Sequence, residues 1–333
     1  MPDTTASVPN AVATAPRRRE GRNVSGFLQR WGTLIIFIII VVGATTQSSA
    51  FLTYRNLTNL LQQTSGVGIM SVGMLFVILT RGIDLSVGSV SALGSVVSAM
   101  MVASLSPATS IGVVILAGCA SGLVAGLTIA YLRLPPFVMT LAVMTMARGI
   151  AFILSDGQPI MLSDSGQAIA NFANGFLFGL PQPVILMFAV FIVGGVVLNF
   201  TKFGRLIKAI GSNPEAVRLS GVVVPRYVVA VYVISGALAA LAGVISTGRA
   251  GVGSATVGVG AELQVIAAVV IGGASLMGGR GGVFNALLGA LVLGIIGNIM
   301  NLASVPGYTQ QVFMGIIIMI AVMIQQGATI FKR

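Results

Sequence analysis

The sequence contains no histidine. That removes the commonest general base and the commonest imidazole metal ligand, and argues against catalytic or metal-dependent chemistry. One cysteine, Cys119, lies in an apolar run, which excludes an intrachain disulfide framework. Charged residues occupy only 8% of the 333 positions, whereas soluble domains carry roughly a quarter. The few acids are scattered, so paired catalytic carboxylates and Ser/His or Cys/His arrangements are missing and an intramembrane enzyme is disfavoured. There is no GxxxxGK[ST] loop: Gly278-Gly279-Arg280-Gly281-Gly282 lacks the Lys-Ser/Thr pair and adjoins apolar runs rather than a strand–helix unit.

What remains is 56% hydrophobic and rich in glycine, with 43 residues of that type. This composition belongs to an all-α polytopic membrane protein whose helices pack closely through small residues. Ten apolar runs are candidate spans: 33–47, 64–80, 84–104, 109–132, 136–155, 183–200, 227–247, 263–277, 283–302 and 308–330. The first, second and eighth are short for a straight crossing of about twenty residues, so tilted, extended or broken helices are expected there.

The net charge of +11 does not indicate a nucleic-acid partner, because the basic residues sit in tails and between apolar runs. With a cytoplasmic N-terminus and alternating spans, fifteen Lys and Arg fall inside, Arg55 and Arg249 outside, and Arg148 within a span. The positive-inside bias therefore places both termini in the cytoplasm. Residues 1–32 read as a disordered cytoplasmic tail and 33–330 as the membrane domain, with a hydrophilic loop at 201–226. The basic segment before LIIFIIIVVGA has the look of a leader, but a retained first span is favoured, since nine further spans follow.

Several segments call for local explanations. In LTRGIDLSVGSV, Gly82 and Gly88 permit a tight reversal, and Asp84 or Ser86 can accept backbone N–H groups where the next helix starts. A gate or pathway role for Asp84 is the alternative. Arg148 lies inside a span and Glu262 near a span end; each is a candidate interior or pathway contact. Gly118, Gly122 and Gly126 form a double GxxxG face, and Ser91, Ser95 and Ala99 a second small-residue stripe, both suited to packing within the chain, with a subunit interface as the alternative. Residues 51–63 are amphipathic and expected at the membrane interface, with a weak sequon at Asn56. Residues 156–182 read as an external loop, either a solvated connection or a partner contact.

The longest hydrophilic segment on the basic side is TKFGRLIKAIGSNPEAVRLSGVVVPRY, residues 201–227. Leu206, Ile207 and Ile210 give a helical apolar pattern; Ser212 or Asn213 can cap a second helix beginning at Pro214 and Glu215, and Gly221 can stop it. This segment closely resembles the coupling loop of bacterial ABC-importer permeases, in particular the ribose/xylose/arabinose-type sugar permeases. FLTYRNLTNLLQQTSGVGIMSVGMLFVILTRGIDLSVGSV, PPFVMTLAVMTMARGIAFILSDGQPI and GAELQVIAAVVIGGASLMGGRGG resemble successive parts of the same family, from about residue 51 to the end. Related amino-acid permeases share the loop style, but GIDLSVGSV points to the sugar branch. The sequence departs from the pattern at Arg81, where the family often has Gly, at Gln264, and at Phe284-Asn285-Ala286.

The resemblance implies an ABC-importer permease fold and transport of a monosaccharide or related polyol across the bacterial inner membrane. It implies a separate cytoplasmic ATP-binding subunit, a periplasmic sugar-binding protein and a permease homodimer embedded in lipid. No cofactor is expected in this chain, ATP and Mg²⁺ being bound by the ATPase. The residues carried over as the ATPase-coupling loop are Gly204, Arg205, Ala209, Gly211, Asn213, Pro214, Glu215, Ala216, Arg218, Leu219, Ser220 and Gly221. An ion-coupled secondary transporter, or an ABC permease for a non-sugar solute, stands as the alternative.

Overall fold

The computed structural model describes residues 24–330, with side chains described for 31–320 and at 323. Its helices are α1 (Val24–Gln47), α2 (Tyr54–Leu79), α3 (Val87–Met101), α4 (Pro107–Ala130), α5 (Pro136–Leu154), α6 (Gln167–Asn174), α7 (Gln182–Phe200), α8 (Lys202–Ser212), α9 (Pro214–Leu219), α10 (Val224–Ala250), α11 (Ala261–Ile271), α12 (Val283–Leu302) and α13 (Gly307–Ile330). Two two-residue ribbons complete it: β1 (Ile160–Met161) pairs antiparallel with β4 (Val252–Gly253), and β2 (Phe176–Leu177) with β3 (Leu180–Pro181).

Each of the ten apolar runs overlaps one of the helices α1–α5, α7 and α10–α13. Counted over the residues whose side chains are described, six of them, α2, α4, α5, α7, α10 and α12, are long and apolar enough to cross a membrane. Local chemistry sets many of the starts. Thr53 caps α2 by accepting from Asn56 N, Ser106 caps α4 by accepting from Thr109 N, and proline opens α4, α5, α7, α9 and α10. Proline suits a first turn because its missing N–H would have no helical partner there.

Four differences from the sequence reading affect how the segments pack. Helix α1 starts at Val24, inside the segment read as a tail; residues 1–23 lie outside the described residues. Helix α2 starts at Tyr54, so most of the stretch expected at the interface is the first part of the second span. Asn56 is held there by exchanging side-chain amide hydrogen bonds of 2.9 Å with Asn298 on α12. The eighth run holds only α11, 11 residues or about 16 Å of helix. It is preceded by an irregular segment, residues 251–260, that runs along α3: a Cβ on Gly253 would meet Ser95 O and Ala99, and one on Gly258 would meet Gly88 O. Finally, residues 156–182 are more than a connection, since Gln62 Nε2 donates to Ala173 O (2.7 Å) and Asn174 Nδ2 to Gly248 O (3.0 Å).

The core is centred on α10, which packs against α2, α3, α4 and α6. Both small-residue stripes are used inside the chain. Gly118, Gly122 and Gly126 face Gly236, Tyr232 and Val229 of α10 so closely that a Cβ at any of the three would strike α10 backbone. On the second stripe, Ser95 and Thr247 share a 2.7 Å hydroxyl hydrogen bond. Small residues let dispersion contacts accumulate along the whole length of a helix pair.

Candidate functional site

Helices α8 and α9 lie between α7 and α10 and form the hydrophilic unit anticipated at 201–226. Thr201 caps α8 by accepting from Gly204 N (3.2 Å), and Asn213 caps α9 by accepting from Ala216 N (3.1 Å). One face is seated on the bundle: Gly204, Ile207, Ile210, Gly211 and Val217 are buried. Phe203 packs between Phe76 of α2, edge-on with ring centroids 6.2 Å apart, and Tyr227 of α10, tilted at 5.9 Å. Ala209 and Pro214 are half-buried. Arg205, Asn213, Glu215, Ala216, Arg218, Leu219, Ser220 and Gly221 are exposed, Leu219 at 78%. Glu215 and Arg218 form a bidentate pair at 2.5 and 3.1 Å. Their side-chain hydrogen bond, followed by the charges of Arg218 and Arg133, holds the Glu215 carboxyl below its ordinary range. The chain leaves α9 through Gly221 at φ 84°, a left-handed conformation suited to glycine.

The break between α2 and α3 lies directly beneath this unit. Arg81, at φ 68°, sends Nε to Gly211 O (2.6 Å) and Nη2 to Ser212 O (2.8 Å). Three residues on, Asp84 is 1% exposed. Its Oδ1 accepts from Ser86 N (3.0 Å) and Ser86 Oγ (2.6 Å), and its Oδ2 from Ser235 Oγ on α10 (2.7 Å). The formal N-cap of α3 is Ser86, whose own side chain makes no cap bond. Asp84 therefore organises the turn and also ties it to α10, a partnership that a lone serine in an apolar helix signalled only weakly. Gly82 lies against Tyr232, where a Cβ would strike the hydroxyl, beside a cavity of about 170 Å³ lined by Thr80, Gly82, Pro136 and Tyr232 among others.

Gly88 belongs to a different neighbourhood. A Cβ there would meet Glu262 Oε2 and Gly258 O. The guanidinium of Arg148 on α5 holds the same irregular segment, donating from Nη1 to Ala255 O (2.6 Å) and Val257 O (2.7 Å). Glu262, in the first turn of the short α11, lies within electrostatic reach of Arg148, and its Oε2 is buried without a hydrogen-bond partner among the described residues. The structure thus brings Gly88, Arg148 and Glu262 together around residues 255–262, while Gly82, Asp84 and Ser86 belong to the break beneath α8. Irregular backbone at membrane depth is tolerated only where protein or a cavity satisfies it, and Arg148 does so for two carbonyls.

On the far side of α11, a cavity of about 610 Å³ opens between α2, α11, α12 and α13. Its walls include Gln63, Thr64, Gln264, Asn301, Gln310 and Gln311 together with Leu263, Leu293 and Met314. Neutral amides over an apolar floor can exchange hydrogen bonds with an uncharged polar solute without a compensating charge. The amide set is spread over four helices, so no short motif announced it. Among the described residues, no cluster of His, Cys, Asp and Glu is arranged to hold a metal ion.

Residues 56–322 match the family described as "Branched-chain amino acid transport system / permease component". The chain is 41% identical over 303 residues to the Ribose import permease protein RbsC of Haemophilus influenzae, covering 90% of this chain and 94% of the relative. It is 40% identical over 302 residues to the Bacillus subtilis protein of the same name, covering 90% and 94%. The L-arabinose ABC transporter permease protein AraH of Azospirillum brasilense is 36% identical over 327 residues, covering 98% and 95%. No solved structure matches the chain significantly.

Proposed function

The chain belongs to the permease family of sugar ABC importers, and from that premise we propose that it moves a monosaccharide, a pentose or hexose or a related polyol, through the inner membrane. A separate cytoplasmic ATPase powers the step, binding ATP and Mg²⁺ itself, and a periplasmic binding protein delivers the sugar to a pair of these permease chains. Both termini lie on the ATPase side.

The observation that carries this reading is the α8–α9 unit. Buried glycines and Phe203 seat it on the bundle, while the capped segment from Asn213 to Gly221 is left facing outward with its charges and Leu219. A six-residue helix has little stability of its own, so its two caps and its seating keep it presented to a partner. The amide-lined cavity beside α11 supports a neutral, hydroxyl-rich cargo, which needs many weak hydrogen bonds rather than a deep charged trap.

Proteoliposomes containing the permease, its ATPase and its binding protein test the reading. Ribose or arabinose should accumulate only with ATP inside the ATPase-facing compartment. Uptake driven by an imposed ion gradient without ATP would overturn it in favour of a secondary transporter.

A further inference from the structure

Arg81 combines two features that need a common explanation. It holds φ 68°, a left-handed conformation that glycine adopts freely and a residue with a side chain adopts only when its surroundings enforce it. Its guanidinium also spans the gap to α8 and donates two hydrogen bonds, Nε to Gly211 O at 2.6 Å and Nη2 to Ser212 O at 2.8 Å. Those carbonyls belong to the last turn of α8, the negative end of the helix, where a fixed cation is best placed. Two adjacent donors of one rigid fork fix direction as well as distance, which a flexible ammonium cannot do.

The surroundings close the junction from a third side. Gly279 N donates to Leu79 O (3.0 Å), and a Cβ on Gly211 would collide with that carbonyl and with Gly279 N. The end of α2, the end of α8 and the turn before α12 therefore touch backbone to backbone, and Arg81 supplies a charged side chain that grips α8 there. Arg81 is three residues from Asp84, whose Oδ2 accepts from Ser235 on α10 (2.7 Å). A displacement of α8 thus has a short, stiff route into the middle of the bundle.

We propose that Arg81 is a positioning residue that transmits motion of the α8–α9 unit to the α2–α3 break and through Asp84 to α10. The inference rests on the reading of α8–α9 as the ATPase-docking unit. Arg81 is exposed, but its guanidinium is engaged by the last turn of α8 rather than by the face of α9 that this reading assigns to docking. Its removal uncouples hydrolysis from transport while leaving the partner bound.

The test uses the full permease reconstituted with its ATPase and binding protein, with sugar transported per ATP hydrolysed as the readout. R81G keeps the left-handed turn unstrained and removes the fork; R81Q keeps a polar stem without the fork and serves if R81G does not accumulate. Losing a bidentate charge-assisted contact should lower sugar transported per ATP by about tenfold in either variant, with the ATPase still co-purifying. A wild-type ratio in the variants overturns the inference alone. Loss of ATPase binding in them overturns it too, by making Arg81 part of the dock. A wild-type permease that needs no ATP overturns both the inference and the reading beneath it.

Discussion

Ser235 Oγ donates to Asp84 Oδ2 at 2.7 Å, joining the break between α2 and α3 to the middle of α10 across 151 residues of sequence. The contact explains how a carboxylate is accommodated in an apolar surrounding. Both of its oxygens accept hydrogen bonds from hydroxyl or backbone donors, so its desolvation is offset locally.

Asp84→Asn retains an acceptor for Ser86 N and turns an amide toward Ser235, whose hydroxyl can accept as readily as donate. The variant should keep its fold and most of its transport. Asp84→Ala leaves the buried hydroxyls of Ser86 and Ser235 unpaired and should cost about 1–3 kcal/mol of stability. Thermal unfolding in detergent, read beside uptake, separates the two. Loss of uptake by a stably folded Asp84→Asn would show instead that the charge itself is required.

Glu215→Arg reverses the charge on the exposed face of α9 and breaks its pair with Arg218. Co-purification with the ATPase should fall sharply while the permease alone unfolds at an unchanged temperature. Undiminished association and transport would remove α9 from the docking surface.

The same pair sets a pH dependence. Arg218 depresses the Glu215 pKa in the folded state, so its contribution is present above the ordinary carboxyl range. It is lost as the pH falls through the depressed value. Hydrogen exchange of the amides in residues 216–220 should accelerate across that acid window, after correction for intrinsic exchange, and Glu215→Gln should lack the step. Superimposable profiles would mean that the pair does nothing for α9.

Gly236→Ala places a methyl group against the Gly118 carbonyl oxygen, whereas Gly112 has open space around it. The first substitution should destabilise the α4–α10 packing by about 1–3 kcal/mol through overpacking. Gly112→Ala should be neutral or mildly stabilising, since alanine is the better helix former. Equal melting temperatures for the two would contradict the close approach.

Arg148→Ala leaves the carbonyls of Ala255 and Val257 without the donor that holds them, at a cost of about 1–3 kcal/mol. The effect should be local: a cysteine introduced at Ser254 should react faster with a polar thiol reagent in the Arg148→Ala background. An unchanged rate would mean that other contacts hold residues 251–260.

The order of the apolar helices was legible in the sequence because each needs an uninterrupted apolar run, and hydropathy reports that directly. The short helix α9 was legible too, since Asn213, Pro214 and Gly221 act within a few residues of themselves through cap and turn geometry. What a polar group deep in the bundle meets was not legible. Asp84 finds Ser235, Arg81 finds Gly211 and Ser212, and Arg148 finds Ala255 and Val257, all more than 100 residues away. The same holds for the half-length α11, whose apolar run continues into a turn that hydropathy cannot distinguish from helix. Composition and local pattern determine that a chain like this crosses the membrane. Tertiary packing alone decides which distant donor satisfies each buried acceptor, because that choice depends on which helices come into contact.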